Sequence, residues 1–107
     1  MLEVHVNFGS AEEAGSVARA AVDKRLAAAA NIHAPVHSFY WWEQEVRAKE
    51  EVPVVFKTSE GKVNDLMDFV ARSHSYETPG IVVHRPMTAN TKYEAWIDNE
   101  TRRLPKR

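Results

Sequence analysis

The chain has 107 residues, with 14 Lys and Arg against 15 Asp and Glu and no cysteine. A single domain of that size buries roughly 60 to 68% of the surface its unfolded chain exposes, enough for one core. The near-neutral charge excludes a whole-molecule field that would draw the protein onto nucleic acid or an anionic membrane, and the missing thiols exclude disulfides and thiolate metal cages.

At the N-terminus Leu2, Val4, Val6 and Phe8 alternate with Glu3, His5 and Asn7, the period of a strand with one buried face. The opening MLEVHVNFG lacks the basic and long apolar regions of a leader, and no window approaches the ~18 apolar residues of a membrane span, so a cytoplasmic location is expected. Ser10 and Glu13 form a capping box, and Ala14, Val17, Ala18, Ala21 and Val22 recur at helical spacing, predicting a helix to about Leu26. From Ala29 to Trp42 the apolar phase of Ile32, Ala34 and Val36 slips by one to Phe39 and Trp41. With Pro35 beside it, that slip predicts a strand broken by a bulge or bend.

After a turn at Glu43 to Glu45, Val52, Val54 and Phe56 stand in phase within a strand from Val46 to Thr58 that can hairpin back on its predecessor. Pro53 cannot donate to a ladder, so its side of the strand is expected at an edge or opposite a bulge. Ser59 is positioned to cap a helix carrying Val63, Leu66, Met67 and Val70 as an apolar stripe. A loop HSYETPG over 74–80 leads into a short strand at Ile81 to Val83. Asn90 caps a last helix presenting Tyr93, Trp96 and Ile97, and the basic tail RRLPKR reads as a solvated end. The order β-α-β-β-α-β plus a C-terminal helix predicts one α+β domain over 1–107 of the ferredoxin-like split βαβ type, an antiparallel sheet with helices on one face. Aromatics on both faces of the central hairpin exceed what two helices can cover, so association between copies of the chain is expected.

Chemically informative groups concentrate in HSYETPG and in SFYWWE over 38–43. His74 and Glu77 in one loop can converge, and imidazole with carboxylate suits copper or zinc. The same two residues can act as acid and base, yet no nucleophile motif accompanies them, and Ser73 and Ser75 flank His74 on different sides and argue nothing about a triad, so an enzyme is not expected. A hydrogen-bonded loop sealing a contact explains them equally well. His33 and His37 lie on one strand roughly 13 Å apart, too far to share an ion. His5 and His84 occupy single polar strand positions and read as solvated or hydrogen-bonded histidines. Tyr40, Trp41 and Trp42 can stack on bases, but without a basic groove the core or interface reading is preferred.

KRLAAAANI at 24–32, SFYWWE, VFKT at 55–58, HSYETPGIVVHRP at 74–86 and YEAWI at 93–97 together resemble the CutA divalent-cation tolerance family over nearly the whole chain. The resemblance implies a homotrimer assembled through the long hairpin and a role in tolerance of copper and other divalent ions. Ligand sites are expected in clefts between subunits. Of the copper ligands proposed for that family, a first-strand cysteine and two adjacent histidines, only His74 has a counterpart here: Val6 stands near the former and Ser73 beside the latter. Ala28 to Ala30, Ser75 and Pro53 are further departures. The expected site comprises Tyr40, Trp42, Lys57, Tyr76 and Trp96 as cleft residues, with His74 and Glu77 ligating copper or another divalent cation and no tightly bound cofactor. The rival expectation is a trimeric sensor resembling nitrogen-regulatory PII proteins, binding a small anionic metabolite in the same clefts.

Overall fold

A computed structural model describes residues 1–103. The N-terminal alternation becomes β1 (Leu2–Phe8), followed by α1 (Ala11–Asp23), β2 (Ala29–Ile32), β3 (Val36–Trp42), β4 (Glu45–Thr58), α2 (Val63–Ser73), β5 (Ile81–His84) and α3 (Thr91–Arg102). β4 and β1 form the centre of the sheet, with β5 beyond β1 and both β2 and β3 on the far side of β4. Every pairing is antiparallel. The outcome is the split βαβ arrangement expected from the element order.

The register decides which face is which. Val4, Val6 and Phe8 of β1 lie opposite Phe56, Val54 and Val52 of β4, and all six are buried with Ala14, Val17, Ala18 and Ala21 of α1 and Leu66 and Val70 of α2. Val4, Phe8, Val54, Phe56, Leu66 and Val70 reach zero exposure, each burial being worth about 1.5–3 kcal/mol before the entropy of ordering is set against it. Glu3, His5 and Asn7 project from the opposite, helix-free face. α3 contributes Ile97 and Thr101, both buried.

The phase slip near Pro35 has a direct physical cause. Ile32 pairs with Val54 while Val36 pairs with Glu51, so the three residues His33 to Pro35 oppose only Val52 and Pro53. That extra residue is a bulge. Pro53 faces it and contributes only its carbonyl oxygen, which accepts from the His33 N–H at 2.9 Å. Beyond the bulge, β3 and β4 run out as a two-stranded arm that closes through Glu43 and Gln44, at φ 50° and 65°. Two successive left-handed residues make the tight hairpin turn whose twist matches the strands.

Three sequence expectations shift in detail. α1 ends at Asp23 rather than near Leu26. Arg25 takes φ 63°, and the N–H groups of Leu26 and Arg25 donate to the carbonyls of Ala21 and Val22, both at 3.0 Å, a Schellman stop. Glu13 does not complete the capping box, although its N–H donates to Ser10 Oγ at 3.1 Å; its carboxylate turns instead to Ser75. Ser59 starts α2 through its carbonyl, which accepts from Lys62 and Val63, while its hydroxyl accepts from Thr101 Oγ at 2.9 Å. Residues 104–107 of the basic tail lie outside the described residues.

Candidate functional site

The helix-free face of β1 and β5, the β3–β4 arm and the HSYETPG loop enclose an open groove of about 560 Å³. Its walls include Asn7, Tyr40, Trp42, Lys49, Tyr76 and Glu77. Ser38, Tyr40 and Trp42 of β3 stand opposite Lys49, Arg47 and Glu45 of β4, so one face of the arm carries aromatics interleaved with charges. Period-2 reading of VRAKEE over 46–51 already contains that signal, because Arg47, Lys49 and Glu51 are alternate residues.

Glu51 is the anchor of the groove. It is only 9% exposed, accepts the Tyr76 hydroxyl at 2.7 Å and lies 3.5 Å from Asn7 Nδ2. The Lys49 ammonium sits 4.2 Å from the Tyr76 ring centroid, a cation–π contact, and the phenol beside it holds Lys49 above its ordinary value. Burial, reinforced by Glu51 and opposed by Lys49, pushes the Tyr76 phenol up. Gly9 permits this packing: a Cβ there would stand 3.3 Å from the Tyr76 ring.

His74 positions the loop. Its Nε2 donates to the Asn7 carbonyl at 2.8 Å and its Nδ1 accepts the Tyr76 N–H at 3.1 Å, which assigns the Nε2–H tautomer from its partners. The ring stacks on Phe8 with centroids 4.6 Å apart. Glu13 ties down the next residue, accepting from the Ser75 N–H at 2.7 Å and hydroxyl at 3.0 Å. Burial alone would raise the Glu13 carboxyl; the Ser75 bonds outweigh it and the value is lowered.

The expected site residues therefore separate. Tyr40, Trp42, Tyr76 and Glu77 share the groove. Lys57 turns toward β2 and bonds Asn31, and Trp96 stacks on Tyr93 along α3 with centroids 6.0 Å apart; neither lines the groove. His74, expected as a metal ligand, is buried with both ring nitrogens engaged in hydrogen bonds that position the loop. No group of three or more His, Asp or Glu able to hold a metal occurs among the described residues. Arg47, Lys49, Glu51 and Asn7 are site residues the motif reading did not include, and the single-strand reading of His5 and His84 missed that their rings meet.

Fold and groove define a ferredoxin-like α+β subunit with an aromatic, charge-lined cleft on its helix-free face. The CutA1 divalent ion tolerance protein family model matches residues 2–100, and the chain belongs to that family. A divalent-cation tolerance protein CutA from Archaeoglobus fulgidus is 35% identical over 95 residues, covering 89% of this chain and 92% of the relative. A chloroplastic CutA 1 from rice is 31% identical over 92% of this chain, which spans only 56% of that longer protein. The solved A. fulgidus structure, described as periplasmic, superposes with a TM-score of 0.90 at 33% identity, covering 94% of this chain and 99% of that one. A PII-like CutA from Nostoc sp. PCC 7120 gives 0.88 at 29% identity, covering 94% and 97%. No helix among the described residues is long and apolar enough to cross a membrane.

Proposed function

We propose that the protein is a homotrimeric, non-enzymatic binding protein of the response to divalent metal ions, copper among them, with its ligand held in the groove where subunits meet. The observation that carries this reading is the arm. Phe39, Trp41 and Val46 on the face away from the groove are 76, 73 and 59% exposed, an apolar patch that a second copy of the chain would cover. The two faces of the same arm thus link assembly to the groove, and a neighbouring subunit can bring Lys57 or Trp96 toward it. Family membership supports the metal-ion role. A cytoplasmic setting is part of the proposal, tested by fractionating source cells against a periplasmic marker.

Arg47 and Lys49 in the groove favour a second reading, in which a small anionic metabolite binds there and the trimer acts as a sensor. The PII-like description of the Nostoc neighbour is compatible with it. Thermal denaturation with divalent chlorides, and separately with nucleotides or carboxylates in chelator, tests both, because a ligand of the native state raises its midpoint by mass action. Stabilisation by metal chlorides alone supports the first reading and stabilisation in chelator the second. Static light scattering giving a monomer mass at micromolar concentration would refute the trimer.

A further inference from the structure

We propose that His5 and His84, held side by side across β1 and β5, form a bidentate site for a divalent transition-metal ion. Their ring centroids are 4.2 Å apart with planes inclined at 47°. β1 and β5 set this contact: His5 pairs with Val82 and Glu3 with His84, so the two imidazoles are diagonal neighbours on the helix-free face. Two imidazoles on one ion at ~2.05 Å place their donor nitrogens roughly 3.3 Å apart in tetrahedral geometry, a separation that small side-chain rotations reach from rings already in contact.

Glu3 completes the arrangement. Its Oε1 lies 3.2 Å from His5 Nε2, and it stands directly opposite His84. A carboxylate accepting from one ring nitrogen fixes the tautomer and leaves the other nitrogen, Nδ1, with its lone pair for a metal. His84 makes no side-chain hydrogen bond to another of the described residues, and the His5 side chain is 41% exposed, so an ion can reach both. Lys57 lies opposite Glu3 on the other neighbouring strand but turns to Asn31, leaving Glu3 to balance the added charge. Solvent completes the coordination, and the donor set suits Cu(II), Ni(II) or Zn(II) over hard cations. His74, His33 and His37 take no part; His5 also lines the edge of the groove, so the inference adds a named ligand pair to the metal-ion reading proposed above.

Calorimetric titration of the full chain with Cu(II) chloride at neutral pH tests the site, alongside His5→Asn, His84→Asn, their combination and a His33→Asn/His37→Asn control. Each variant is checked for an unchanged thermal midpoint. One saturating ion per chain is expected, with affinity about tenfold or more weaker in either single variant. The combination should lose little beyond one single variant, because either loss breaks the chelate. Electron paramagnetic resonance of the copper-loaded wild-type protein should show two coordinated nitrogens, a readout independent of variant folding. Unchanged affinity in both single variants, equal loss in the control, or a single-nitrogen spectrum would overturn the assignment. Metal held elsewhere in the groove is scored separately, by the stabilisation that divalent chlorides still give the His5→Asn/His84→Asn protein, and metabolite binding by stabilisation in chelator, so the failure of one leaves the others standing.

Discussion

Tyr76→Phe removes one oxygen from the centre of the groove and leaves the ring shape intact. The lost hydroxyl is the 2.7 Å donor to Glu51 Oε2, and the other carboxylate oxygen retains only Asn7 Nδ2 at 3.5 Å. Hydrogen bonds to charged groups contribute about 1.5–3 kcal/mol, and the low exposure of Glu51 limits how far water can replace the donor. The expected destabilisation is about 2 kcal/mol, or roughly 8 °C in midpoint for a domain of this size. Denaturant titrations at matched protein concentration measure it, since assembly makes the midpoint concentration-dependent. The pH dependence supplies a second readout. The phenol is raised above its ordinary 10.0, so the folded state holds this proton more tightly than the unfolded chain. That contribution is fully present below pH 10 and is lost as pH rises through the raised value. In Tyr76→Phe this alkaline loss disappears, and the gap from wild type narrows above pH 10. A destabilisation below about 0.5 kcal/mol with the alkaline loss intact would refute the view that Tyr76 holds Glu51 in place.

Glu13→Gln should remove a complementary acid dependence: the carboxyl is lowered below 4.5, so its contribution is present above pH 4.5 and lost as pH falls through the folded value. About 1 kcal/mol at neutral pH is expected from urea titration. His74→Ala deletes two hydrogen bonds and the ring stacked on Phe8, which should cost about 3 kcal/mol while copper affinity per folded chain stays unchanged by calorimetry. Trp41→Glu places a charge in the patch of Phe39 and Val46, and light scattering should then report monomers. Gln44→Gly relieves a left-handed residue in the arm turn and should raise stability by roughly 1 kcal/mol in thermal denaturation.

Elements were legible wherever a local pattern decides them. The β1 alternation, the α2 stripe and the shift of phase beside Pro35 depend on periods of 2 and 3.6 residues and on one missing N–H, all properties of neighbours along the chain. Proline 53 shows how far this reaches: its chemistry demanded a bulge or an edge, and the structure supplies the bulge at His33 to Pro35. Helix ends were less legible, because Glu13 and Ser59 had competing partners in Ser75 and Thr101. Those partners are 62 and 42 residues distant in sequence.

The site divides along the same line. Residue chemistry marked the two aromatic and titratable runs, and Tyr40, Trp42, Tyr76 and Glu77 do meet in one groove. What a histidine does there depends on what its nitrogens touch. His74 is occupied on both sides, whereas His5 and His84, separated by most of the chain, have their rings brought together by β1–β5 register. Composition and periodicity set the strands and their buried faces because those follow from near neighbours. The walls of the groove and the buried hydrogen-bond partners were decided only by the tertiary structure, because long-range register chooses which distant polar atoms share a point in space.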